Sequence, residues 1–127
     1  MTIQDVAKFM YLGGQTVPDD YDQDVLGELY AFTDRVEDEL IETEDGIRAD
    51  DGAEIVDGFL DTAYAAMTGA IRKAGAKKAR LCWEAICDAN LAKVDGRYGP
   101  VVRDENTGKI LKPEGWTAPD IEGILNG

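Results

Sequence analysis

Residues 54–67 read EIVDGFLDTAYAAM, and a helical period sorts them into two kinds of surface. At about 100° per residue, Glu54, Asp57 and Asp61 fall within an arc of about 60°. Ile55, Val56, Phe59, Leu60, Ala63, Tyr64 and Met67 fill the neighbouring half-circle, so the three acids border a face expected to be buried. The preceding segment, with DELIE at residues 38–42, repeats the design. Leu29, Phe32, Val36 and Leu40 form an apolar stripe, with Glu39 about 20° from Phe32 and Glu42 one turn further round. Packing the two stripes together is expected to bring all five carboxylates to one place.

Such a gathering is unfavourable without a cation. Like charges one helical turn apart repel by a few tenths of a kcal/mol in water, and desolvation multiplies the penalty. An all-oxygen donor set suits Mg²⁺ or Mn²⁺, hard ions that retain waters for a phosphate to displace. Zinc is a poor match. Glu39, Glu42, Glu54, Asp57 and Asp61 are therefore the candidate metal ligands.

Outward from these segments, the pattern predicts an all-α bundle of about four helices. Thr2 and Asp5 form a capping box ahead of Ile3, Val6, Phe9, Met10 and Leu12, and Gly13-Gly14 ends that helix. Gln15 to Asp20 reads as loop. A long second helix is expected from Asp22 or Asp24 to Asp45-Gly46, a third from Asp51 to Gly75, and a fourth from Ala76 to Val94. Gly58 and Gly69 each cost about 1 kcal/mol relative to alanine inside a helix, so close packing or a ligand must account for them. After Asp95-Gly96, VVRDENTGKIL suggests a small hairpin around Asn106-Thr107-Gly108, followed by an irregular arm. The expected organisation is one domain, residues 1–127, helical over 1–95 with a C-terminal arm over 96–127.

Composition narrows the chemistry. The 127 residues include no histidine and no serine, which excludes serine-histidine hydrolases, histidine bases and histidine-ligated zinc or di-iron sites. Cys82 and Cys87 point about 140° apart on one helix, so buried free thiols are expected rather than a disulfide. Residues 1–62 hold 18 acids against 3 bases, whereas residues 63–127 hold 8 acids against 10 bases. One half suits cations and the other anions, and the overall charge of −13 opposes binding to nucleic acid or an anionic membrane. The first 14 residues have neither a basic leader nor an apolar span, so a cytoplasmic location is expected.

The motifs Asp38-Glu39-x-x-Glu42, Glu54-x-x-Asp57-x-x-x-Asp61-x-x-Tyr64 and Trp83-Glu-Ala-Ile-Cys-Asp-Ala-Asn90-Leu-Ala-Lys93 resemble the all-α nucleoside triphosphate pyrophosphohydrolases, the MazG and phosphoribosyl-ATP pyrophosphohydrolase superfamily. The likeness is strongest to small phage and bacterial members and runs from Gln15 through the tail GKILKPEGWTAPDIEGIL. Asp38 stands where the family motif begins with glutamate, Gly58 where some relatives carry another glutamate, and Cys87 where a histidine is common.

The resemblance implies attack of water on the α-phosphorus of a nucleoside triphosphate, releasing a monophosphate and pyrophosphate, with Mg²⁺ or Mn²⁺ as cofactor. Glu39 or Glu42 is the implied catalytic base; Asn90 and Lys93 would bind phosphate or sugar, and Gln15 and Trp116 the base. Some phage relatives act on dGTP or dCTP, and guanine is the expected preference. Family members assemble as homodimers or homotetramers, so the same is expected here. Two alternatives stand beside this reading: phosphoribosyl-ATP hydrolysis, and an acidic interaction protein that mimics DNA.

Overall fold

The computed structural model describes residues 2–127 and is all-α. Five α-helices are described: α1 (Ile3–Leu12), α2 (Tyr30–Arg48), α3 (Gly52–Ala74), α4 (Ala76–Ala92) and α5 (Ile121–Asn126). They belong to two compact units, one ending at Ala79 and the other running Arg80–Gly127. Among the described residues, no helix is long and apolar enough to cross a membrane.

In the first unit, α1 begins as its sequence dictates. The Thr2 hydroxyl accepts from the Asp5 N–H at 3.2 Å, and the Asp5 carboxylate accepts from the Thr2 N–H at 3.0 Å. These bonds hold the Asp5 carboxyl below its ordinary range. Ile3, Val6, Ala7 and Met10 of α1, together with Ile71 and Ala74 of α3, lie in the core. At the far end of α3, Gly75 adopts φ 79°, a left-handed turn that ends the helix and lets α4 start at once. A side chain there would also meet the Pro18 carbonyl oxygen at 2.8 Å.

The second helix departs from expectation at both ends. Residues from Asp22 to Leu26 are not helical; a 3₁₀ turn over Gly27–Leu29 precedes Tyr30. The cause is tertiary. Arg72, 8% exposed, bonds Asp22 at 3.0 Å and Glu28 at 2.5 Å, while the Lys73 ammonium donates to the Gln23 and Val25 carbonyls. The Lys73 carbonyl also accepts from the Asp22 N–H at 2.9 Å. The strip is thus claimed by the end of α3 before it can coil. At the other end, α2 runs on to Arg48 instead of stopping at Asp45-Gly46. Gly46 serves close packing, since a Cβ there would lie 3.1 Å from the Glu54 Cβ.

Helix α2 approaches α3 closely at the glycines of α3. Contact is made through small residues: a Cβ on Gly58 would sit 2.9 Å from the Thr43 Cβ and 3.0 Å from its Cα, and one on Gly69 would sit 3.2 Å from the Phe32 Cβ. Val56, Phe59 and Leu60 are instead 60%, 56% and 63% exposed. Ile55, Ala63, Tyr64 and Met67 of the expected core face are half-buried, so only the flank with Val56, Phe59 and Leu60 turns outward, and close backbone approach supplies the helix–helix contact.

In the second unit, the Trp116 indole N–H donates to the Ala89 carbonyl at 2.7 Å, tying the arm to α4. The anticipated hairpin reduces to one antiparallel bridge, Arg103 with Ile110, around a turn in which the Asp104 carboxylate accepts from the Asn106 and Thr107 N–H groups. The arm is not wholly irregular. Asp120 caps α5 by accepting from the Gly123 N–H at 2.9 Å, a local signal passed over in favour of loop. Both cysteines are free, but only Cys82 is half-buried, its thiol pushed up by burial; Cys87 is exposed rather than buried, because α4 turns that flank to solvent.

Candidate functional site

The short connector Ala49–Asp51 makes α2 and α3 an antiparallel pair. Asp51 caps α3 by accepting from the Glu54 N–H at 3.2 Å, and Asp50 adopts φ 50° in the turn. The contacts of Gly46 with Glu54, Thr43 with Gly58 and Phe32 with Gly69 set the register. That register places Glu39, one turn before Thr43, across from the turn of α3 that carries Asp61. The Thr43 hydroxyl donates to the Glu39 carbonyl at 2.7 Å, which links the packing contact to the acid.

Glu39 is the half-buried member of the group, whereas Glu42, Glu54, Asp57 and Asp61 are exposed. Its Oε2 is buried without a hydrogen-bond partner. Burial raises the pKa of its carboxyl, and the negative charges of Glu42, Asp61 and Asp57 push it the same way. The charges of these three acids therefore all reach Glu39. Glu54 lies a turn earlier, with its Cβ packed against Gly46, and is not among the principal charges acting on Glu39.

A cavity of about 290 Å³ opens beside Glu39 and Asp61, walled by Phe9, Gln15, Arg35 and Tyr64. Phe9 and Tyr64 meet edge to face at 5.4 Å. A second cavity of about 360 Å³ shares Gln15 and Arg35 and reaches Phe32, Glu28 and Arg72. The Gln15 Oε1 and Arg72 Nε are both buried without partners. The Gln15 acceptor and the Phe9 and Tyr64 rings thus wall the space beside Glu39 and Asp61, while Arg72 borders the neighbouring cavity.

The donor set and the orphaned Glu39 oxygen suit a hard divalent cation. The carboxylates border one flank without closing on a point: among the described residues, no three acid or thiol side chains form a ready cluster for a metal. Of the five candidate ligands, Glu42, Asp57 and Asp61 are those whose charges reach Glu39.

Asn90, Lys93 and Trp116 belong to the second unit and gather there. The Lys93 ammonium donates to the Asn90 side-chain oxygen at 3.1 Å and lies 4.9 Å from the Trp116 ring centroid, with Lys112 at 5.4 Å. Arg35 was not singled out by its sequence context, although it stands four residues before Glu39 and so on the same helical flank. That spacing was the available signal. No protein-family model matches the chain, and no curated protein matches it either.

Proposed function

We propose that the chain is a metal-dependent nucleoside triphosphate pyrophosphohydrolase, converting a ribo- or deoxynucleoside triphosphate, with dGTP or GTP the first candidates, to monophosphate and pyrophosphate. The observation that carries this reading is Glu39: a half-buried carboxylate with an orphaned oxygen, under the charge of Glu42, Asp57 and Asp61, at the edge of a cavity. The motif resemblance supports the same chemistry. A surface built to mimic DNA has no use for a desolvated acid turned toward a cavity.

Glu39, Glu42, Asp57 and Asp61, with Glu54 beside them, would hold Mg²⁺ or Mn²⁺. When bound, the ion supplies neutralisation of phosphate charge and acidification of water. The remaining work falls to side chains. Glu39 or Glu42 takes a proton from the attacking water, whose oxygen bonds to the α-phosphorus as the bond to the bridging oxygen breaks and pyrophosphate departs. Gln15 offers its unpartnered carbonyl oxygen to a nucleobase amino group. In the second unit, the motif resemblance alone makes Asn90 and Lys93 candidates for binding phosphate or sugar and Trp116 for stacking on a base.

A panel of nucleoside triphosphates incubated with Mn²⁺ and scored for pyrophosphate tests the reading. Release from at least one, abolished by EDTA, is expected; no release across the panel, with no thermal stabilisation by Mn²⁺ and nucleotide, overturns it.

The outward apolar flank of the α2–α3 pair fits assembly with a second copy, as a homodimer or homotetramer. Val56, Phe59 and Leu60 lie on it, exposed Leu40 and Ile47 edge it, and a groove of about 430 Å³ lined by Leu29, Val36, Ala66 and Ala70 runs beside them. Leu60→Asp is expected to convert the oligomer to monomer in sedimentation velocity. A wild-type chain that sediments as a monomer at tens of micromolar would rule this out.

A further inference from the structure

We infer that Arg35 is the anchor for the substrate's polyphosphate, a role that rests on the hydrolase reading above and extends it to a residue outside the family-like motifs. Arg35 lies on α2 one turn before Glu39 and lines both the cavity that Glu39 and Asp61 border and the neighbouring one reaching Glu28 and Arg72. In the same unit Arg48, Arg72 and Lys78 each hold carboxylate partners. The Arg35 guanidinium has no ion pair among the described residues; its recorded neighbour is the Phe32 ring, 5.6 Å from the centroid. Of the three arginines in this unit, Arg35 is the one without a carboxylate partner among the described residues, although residues 1–62 carry 18 acids against 3 bases.

Charge explains why such a group is needed there. Even with a divalent ion bound, Glu39, Glu42, Asp57 and Asp61 leave the cavity wall negative, and a triphosphate approaching it is repelled. A guanidinium offers a planar fork matched to two phosphate oxygens and is more weakly hydrated than an ammonium, so it loses less on binding. Stacking on Phe32 holds that fork beside the cavity before substrate arrives, which reduces the ordering cost. Arg35 would thus grip the outer phosphates while the acid flank addresses the α-phosphorus.

Calorimetric titration with Mn²⁺ alone, and with inorganic tripolyphosphate at saturating Mn²⁺, separates this role from others. Arg35→Ala is expected to leave Mn²⁺ affinity unchanged while weakening tripolyphosphate about 10- to 100-fold, the loss of one charge-assisted forked contact. Arg35→Lys, which keeps the charge without the fork, is expected to fall between. Wild-type-like tripolyphosphate affinity in Arg35→Ala, or no tripolyphosphate binding by the parent protein, overturns the inference. So does tighter Mn²⁺ binding alone, the mark of an arginine that merely offsets Glu39. The hydrolase reading fails by a different result: Mn²⁺ binding that is absent or indifferent to Glu39→Gln.

Discussion

Glu39→Gln yields a protein that is more stable than its parent in EDTA yet slower at releasing pyrophosphate by at least about 100-fold. Both halves follow from the same carboxylate. Burial and the charges of Glu42, Asp61 and Asp57 raise its pKa above the ordinary 4.5, so folding without metal is opposed by its ionisation. The native state then binds more protons than the unfolded chain between the unfolded and folded pKa values. The stabilising contribution of Glu39 is therefore complete below the unfolded value and is lost as pH rises through the folded one. Glutamine removes that loss, so the advantage of the variant grows as pH rises above the ordinary 4.5. Asp5, Asp20 and Asp22, whose carboxyls are held low, lose stability on acidification in both proteins and cancel in the difference.

The activity loss arises because an amide neither accepts the proton of the attacking water nor offers a charged ligand, effects worth about 10²- to 10⁴-fold for a proton acceptor alone. Asp61→Asn separates the two halves: it removes one of the charges acting on Glu39 but leaves that carboxyl buried, so stability in EDTA should rise less than in Glu39→Gln while activity drops comparably. Urea denaturation at pH 4 and 7 in EDTA, with pyrophosphate release in Mn²⁺, measures both. Wild-type activity in both variants would remove the site assignment, and a Glu39→Gln protein less stable than its parent would refute the electrostatic account.

The largest expected loss of stability comes from Gly58→Val. A Cβ at this position would contact the Thr43 hydroxyl and lie 3.0 Å from the Thr43 Cα, so no side-chain rotation relieves it and the helices must part. Overpacking of this kind costs about 2–4 kcal/mol, more than the roughly 1 kcal/mol gained by removing a glycine from a helix. Gly69→Ala is the control, because its new methyl meets only the Phe32 Cβ at 3.2 Å and should be near neutral. Separation at Gly58 also carries Glu39 away from Asp61, since Thr43 and Glu39 are one turn apart and bonded to each other. Calorimetric Tm and Mn²⁺ affinity should therefore fall together in Gly58→Val and in neither respect for Gly69→Ala.

The helices themselves were legible because their signals are local. Thr2 with Asp5, Asp51 ahead of Glu54, and Gly75 with its left-handed φ each mark an end through bonds to neighbours within a few residues. Asp120 belongs to the same class, since its carboxylate caps α5 three residues on, where an irregular arm is expected. The beginning of α2 was of another kind. Asp22 and Asp24 are competent caps, but Arg72 and Lys73, some 50 residues away, bind that strip in a non-helical path, and local propensity cannot anticipate a distant competitor.

For the candidate site, the sequence by itself determined which acids share a helical flank, because a period of 3.6 residues follows from backbone geometry alone. It also determined, by lacking histidine and serine, that any catalytic chemistry here must be carried by other groups. Only the tertiary structure decided which face of α3 meets α2. The bulky apolar face and the stripe of Gly58, Thr62, Ala65 and Gly69 are both plausible contacts on a helical wheel, and the small residues won by letting two backbones approach closely. That choice set the register placing Glu39 opposite Asp61, turned Leu60 outward and left Arg35 at the cavity, because which surfaces meet depends on the fit between segments and not on the pattern within either one.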